Sequence, residues 1–247
     1  MKLTNLIFAT SALLLLASCD MVRTETYQDD LVMPLEDGQT DSLFFSVSLE
    51  YVVTGMKVEV RQKINKAIVA QAFDLEGGEE TTLEETAIRY RENLIDEYMN
   101  ENAVLENGVR SWEDRVGGAF DKKYKHYMNY LVSYYSFRGG AHGIQTLSNI
   151  VFDAKTGEQV HEADLFAPGY ETPVAQLLRL AIKSAMEAED PELMQLVKLE
   201  EVVPNGNFSV HEDGMEWLFQ PYEVGPYALG IVSATLSWED LKPFMKN

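Results

Sequence analysis

The chain has 247 residues, 46% of them hydrophobic and 11% aromatic, with 40 acidic side chains against 20 basic ones and a formal charge of −20. That composition is a folded globular protein's, long enough for a sizeable core in one or two domains. So large a negative charge argues against nucleic acid and against direct adhesion to anionic lipid, and suits either solubility or a cationic partner.

Lys2 supplies a short positive region, and residues 6–17 are mostly apolar, the layout of a secretory signal and too short to span a membrane. Leu16-Ala17-Ser18-Cys19 then resembles a bacterial lipobox. The resemblance implies cleavage after residue 18 and acylation of Cys19, several acyl chains making a stable anchor. Cys19 is the only cysteine, so lipidation leaves no disulfide and no thiol nucleophile. No second long apolar run follows, and the expected anchor is lipid alone.

Residues 19–40 are polar and acidic without sustained periodicity, and read as a flexible tether. From Ser42 to Val53, Leu43, Phe45, Val47, Leu49 and Tyr51 alternate as in a strand, ended by Gly55. Val60, Ile64, Ala67 and Ile68 make a helical stripe ended near Gly77-Gly78. Thr82 and Glu85 form a capping box opening a second helix, with Leu83, Ala87, Leu94, Ile95, Tyr98 and Met99 on its apolar face and Gly108 beyond its end.

Period two returns from Val109 to Phe152, punctuated by Gly117-Gly118 and Gly139-Gly140. The spacing predicts one strand from Tyr124 to Arg138, with Tyr124, His126, Met128, Tyr130, Val132 and Tyr134 on one face and Tyr127, Leu131, Tyr135 and Phe137 on the other. Residues 153–157 suit a hairpin turn. Thr172-Pro173 and Asp190-Pro191 read as helix starts, the first burying Val174, Leu177, Leu178, Ala181, Ile182 and Ala185. Phe208–Val210 and Met215–Phe219 suggest a hairpin through Asp213-Gly214, followed by a strand from Ala228 to Leu236 and a short helix from Trp238 to Met245. Helices and strands come in blocks, so the expected class is α+β, with largely antiparallel sheets and helices packed on them.

No two of the four histidines, His126, His142, His161 and His211, lie within one helical turn. The common metal, serine-hydrolase and phosphate-loop motifs do not occur, so neither a metal nor a cofactor is expected. Two glycine-rich segments are sharper. In Arg138-Gly139-Gly140-Ala141-His142-Gly143, Arg138 and His142 flank a bend that is either a ligand-binding turn or a corner between strands. In Tyr222-Glu223-Val224-Gly225-Pro226-Tyr227-Ala228-Leu229-Gly230, two tyrosines on a proline-stiffened loop either stack on a sugar ring or pack a sheet end. The candidate ligand-binding residues are therefore Arg138, His142, Tyr222, Glu223 and Tyr227, and the candidate structural ones are Gly139, Gly140, Gly143, Gly225, Pro226 and Gly230.

These two segments, with Phe152-Asp153, Thr156-Gly157 and Asp164-Leu165-Phe166 between them, resemble the extracytoplasmic domain shared by RsiV-type anti-sigma factors and PdaC-type peptidoglycan deacetylases. Ile64-Asn65-Lys66-Ala67-Ile68 is similar to the smaller module that accompanies it. The resemblance implies two closely associated α+β subdomains, residues 41–135 and 136–247, behind a signal peptide over 1–18 and a tether over 19–40. RsiV-type proteins carry a cytoplasmic segment and a transmembrane helix where this chain has the lipobox, and PdaC-type enzymes carry a separate metal-binding catalytic domain. Neither sigma-factor control in cis nor deacetylation is therefore expected. The expectation is an exported domain, lipid-anchored in the envelope of a Gram-negative bacterium, inner or outer membrane, that senses or binds and does not catalyse. Its partner would be a peptidoglycan fragment or a lysozyme-like basic protein. An unrecognised hydrolase using a carboxylate pair is a third reading.

Overall fold

The computed structural model describes residues 21–35, 41–75, 82–104 and 111–246. Cys19 with the whole signal segment, Gly77-Gly78 and Gly108 lie outside these residues. Among the described residues the order is β1 (Arg23–Pro34), β2 (Ser42–Thr54), α1 (Val58–Ala72), α2 (Leu83–Val104), β3 (Trp112–Phe120), β4 (Tyr127–Phe137), β5 (Ile144–Asp153), α3 (Glu162–Leu165), α4 (Glu171–Glu189), α5 (Pro191–Met194), β6 (Phe208–Val210), β7 (Gly214–Phe219), β8 (Val232–Ser237) and α6 (Trp238–Leu241). The fold is α+β, with a five-stranded sheet β1-β2-β3-β4-β5 and a three-stranded sheet β6-β7-β8. All strand pairs are antiparallel except β2–β3, because the chain passes through α1 and α2 before returning beside β2. No described helix is long and apolar enough to cross a membrane.

Two apolar cores organise the molecule. Leu43, Phe45, Val47 and Leu49 of β2 pack with Ile64 and Ile68 of α1 and Ala87, Leu94 and Tyr98 of α2, so both helices cover one face of the larger sheet. The second core joins Val174, Leu178 and Ile182 of α4 to Phe208, Trp217, Ala234 and Leu236 of the smaller sheet. The capping box opens α2 as expected: Glu85 N–H donates to Thr82 Oγ1 (3.2 Å) and Thr82 N–H to Glu85 Oε2 (3.0 Å). These bonds hold the Glu85 carboxyl below its ordinary range, the backbone bond first. Met99, expected on the apolar face, is exposed.

The structure corrects several expectations. Residues 23–34 are no tether; they form β1 and pair antiparallel along β2. Tyr27, Leu31 and Met33 turn toward the core, and the fourth inward side chain, Asp29, receives both carboxylate bonds from Arg91 of α2 at 2.7 Å. The division at 135/136 falls inside β4, and β5 completes the first sheet. β4 begins at Tyr127, because Lys125 at φ 55° turns the chain between bridged Tyr124 and Tyr127 and takes Tyr124 and His126 off the strand. Gly117 and Gly118 lie within β3 and interrupt nothing. α4 starts at Glu171 with no side-chain cap from Tyr170, so Thr172 and Pro173 lie inside its first turn and Thr172 is not the cap. Ala228 sits in a 3₁₀ turn ended by Gly230, and β8 starts only at Val232.

Side-chain amides join the two sheets. Asn129 of β4 accepts from Val210 N–H (2.9 Å) and donates to Val210 C=O (2.8 Å), pairing as a neighbouring peptide would. Asn207 does the same for the edge of β5, accepting from Asn149 N–H (2.8 Å) and donating to Leu147 C=O (2.9 Å). Gln220, just after β7, accepts from Leu147 N–H at 3.1 Å. The β4–β5 hairpin is thereby held against β6 and the end of β7, which brings the loop at residues 138–143 toward the loop at residues 220–230.

Candidate functional site

Those two loops carry the two glycine-rich segments, and they meet. Tyr227 O–H donates to Gly143 C=O at 2.8 Å, and His142 Nδ1 lies 3.0 Å from the same oxygen, so in this contact Nδ1 carries the proton. The His142 and Tyr227 rings stack at 3.8 Å with 15° between their planes. Tyr222 adds a third ring 5.7 Å from Tyr227. The result is a short ladder with Tyr227 in the middle and the outer rings, His142 and Tyr222, exposed.

The local backbone builds this ladder under strain. Gly139 and Gly140 have φ of 88° and 100°, which bend the chain after β4 so that His142 faces the second loop. Tyr222 sits at φ 73° with 59% of its surface exposed. A bulky side chain at positive φ is uncommon, and here it holds an aromatic ring in solvent. Gly225 is required by contact: a Cβ there would lie 2.3 Å from Leu229 Cδ1 and 2.7 Å from Leu196 C=O. Pro226 and Gly230 cap the 3₁₀ turn that carries Tyr227.

The five candidate ligand contacts thus divide. His142 and Tyr222 are open, and Tyr227 supports both. Arg138 instead turns to α2 and the first core. It donates to Glu97 (2.6 Å) and to Asp114 (3.0 Å), and its guanidinium lies 4.8 Å from the Trp112 ring centroid. Burial pulls the Arg138 pKa down, but the Glu97 bond and the Asp114 charge outweigh it and raise it above the ordinary arginine value. Glu223 is equally committed, accepting from Gln220 N–H and Asn205 Nδ2, both at 2.7 Å. It closes the turn that presents Tyr222.

Sequence reasoning missed Asp114. It is fully buried on β3 and accepts from Ser136 (2.6 Å), Tyr90 (3.0 Å), Tyr134 (3.3 Å) and Arg138. Burial, then the Tyr134 bond and the Asp114 charge, push the Tyr90 pKa well above the ordinary tyrosine value. The signal was available, since Asp114 stands between Trp112 and Val116 in an alternating strand where an apolar residue belongs. The second core holds a similar carboxylate, Glu162, which accepts from Trp217 Nε1 (2.7 Å), Tyr170 O–H (2.9 Å) and Gly206 N–H (3.1 Å).

Ser209 Oγ lies 2.7 Å from His211 Nε2, and His211 Nδ1 lies 3.9 Å from Asp121 Oδ2. A serine nucleophile needs open approach and a base oriented by a hydrogen-bonded carboxylate. Ser209 is only 4% exposed, and 3.9 Å exceeds a hydrogen bond, so Asp121 does not orient His211 and the Ser209 hydroxyl is closed to a substrate. No group of three or more His, Cys, Asp or Glu side chains placed to hold a metal occurs among the described residues.

Two solved structures share this architecture. A DUF3298-family protein from Bacteroides fragilis superposes with a TM-score of 0.77 at 19% identity, over 92% of this chain and 94% of that one. A DUF3298-family protein from Pseudomonas aeruginosa superposes with a TM-score of 0.69 at 15% identity, over 92% of this chain and 95% of that one. At these identities the likeness is one of fold. No curated protein matches the chain. Residues 163–239, from α3 into α6, match the model of DUF3298, a family described as of unknown function.

Proposed function

We propose that this chain is a lipid-anchored domain of the bacterial cell envelope that binds or senses a cell-wall glycan. The observation that carries the reading is Tyr222, held at positive φ and exposed at the end of a three-ring ladder. Non-glycine residues at positive φ cluster at functional sites, and among those described Tyr222 is the one that presents an exposed ring, whose apolar face and polar tip suit a pyranose. The similarity of both loops to the RsiV- and PdaC-type domain supports an extracytoplasmic setting, and the lipobox at Cys19 supports the anchor. Binding without catalysis fits the internal commitment of Arg138 and Glu223.

The test separates binding from folding. Tyr222→Gly removes the ring and relieves the positive φ, so its melting temperature should stay level or rise while affinity for soluble peptidoglycan fragments falls about tenfold, ~1.4 kcal/mol. Unchanged affinity would sink the reading. A second reading, a lysozyme-type inhibitor or sensor acting by protein–protein contact, is favoured by the charge of −20. Binding of the variant and the parent to lysozyme with equal strength, and of neither to fragments, would select it.

A further inference from the structure

The face of the five-stranded sheet turned away from α1 and α2 carries a groove of about 410 Å³ lined by Glu113, Arg115, Ser133, Tyr135 and Gln145, and by Tyr134, whose hydroxyl turns to Asp114 on the other face. Strand register explains the lining. Arg115 stands opposite Tyr135 and Tyr135 opposite Gln145, so three strands place side chains in one row across the sheet. Gly117 stands opposite Ser133, and a Cβ there would lie 2.6 Å from the Ser133 hydroxyl; without one the next row stays low.

The groove adjoins the aromatic ladder through Tyr135. Its ring packs under Gly143, where a Cβ would fall 2.5 Å from the Tyr135 hydroxyl, and Gly143 C=O is the oxygen that binds Tyr227. Gln145 follows His142 by three residues, about 10 Å along an extended chain. One molecule can therefore touch the ladder and lie in the groove.

The lining selects a class of occupant. Arg115 pairs with Glu113, so the groove's charges cancel locally while hydroxyl, guanidinium, carboxylate and amide groups remain to exchange hydrogen bonds. An anionic chain is disfavoured by the −20 of the whole molecule. A peptide adding as a strand needs a sheet edge, and this is a sheet face. We infer that the groove is an extended subsite for a neutral oligosaccharide whose end stacks on the Tyr222–Tyr227–His142 ladder. The inference rests on the glycan reading above and adds the direction and length of the bound chain.

The probes are N-acetylglucosamine oligomers from dimer to hexamer, titrated calorimetrically into the whole chain in detergent micelles. Affinity should rise with length, the hexamer binding about tenfold tighter than the dimer or more. An Arg115→Ala, Gln145→Ala double variant, altered only at exposed positions, should bind the dimer as before and lose the gain with length. Equal affinity for dimer and hexamer, or a gain that survives the double variant, overturns the groove and leaves the ladder reading standing. Binding of no oligomer at all overturns both.

Discussion

Arg138 and Tyr222 are polar-tipped side chains beside glycine-rich bends, yet they are used in opposite ways. Arg138 lies against a buried carboxylate, so its charge is spent on Asp114 and Glu97. Tyr222 is pushed into solvent by a backbone angle that resists it. Strain and space can be separated in the bend itself. A Cβ on Gly140 would meet nothing within 4 Å, so only its φ of 100° opposes a side chain. Gly140→Val should therefore cost about 1–3 kcal/mol, read from urea unfolding. His142→Ala, which removes an exposed ring, should cost less than about 1 kcal/mol. Equal, near-zero losses would show that the bend tolerates ordinary residues. The glycines were legible from composition alone. The division of Arg138 from His142 was not, because it depends on Asp114, 24 residues earlier.

At the scale of elements, period and punctuation predicted most helices and strands, and failed where pairing overrides propensity. β1 carries Glu25, Asp29 and Asp30, residues that strands disfavour, and nothing local marks it as structure. It is a strand because β2 offers a full ladder and Arg91 neutralises the one inward carboxylate. The amide contacts between sheets are equally silent in sequence. Asn129 is 1% exposed and Val210 fully buried, so Asn129→Ala would leave both peptide groups of Val210 without partners. The expected loss is about 2–4 kcal/mol in chemical unfolding, with early hydrogen exchange across β6. A loss below about 0.5 kcal/mol would mean that the sheets are held by their apolar contacts alone.

For the whole molecule, charge is the property that acts at a distance. If a basic wall-acting protein is the partner, opposite charges should raise the association rate far more than they slow release. Binding of lysozyme to the whole chain should then weaken steeply as salt rises, since exposed pairs are screened beyond about 8 Å at physiological ionic strength. Stacking of a neutral sugar on Tyr222 should change little over the same range. Affinity for lysozyme that ignores salt would assign the charge to solubility. Absence of binding even at low salt would remove the inhibitor reading.

The sequence by itself determined the α+β class, the helix starts at Thr82 and Asp190, the apolar stripes and the two unusual loops. Each of these follows from short-range physics: hydrogen bonds to the first helical turn, side-chain periodicity, and backbone angles open chiefly to glycine. Only the tertiary structure decided that the loops share one aromatic ladder, that β1 is a strand, and that Asp114 and Glu162 are anchored inside. Those outcomes require groups far apart in the chain to satisfy each other's hydrogen bonds and charges in space, and no local pattern records which partner will arrive.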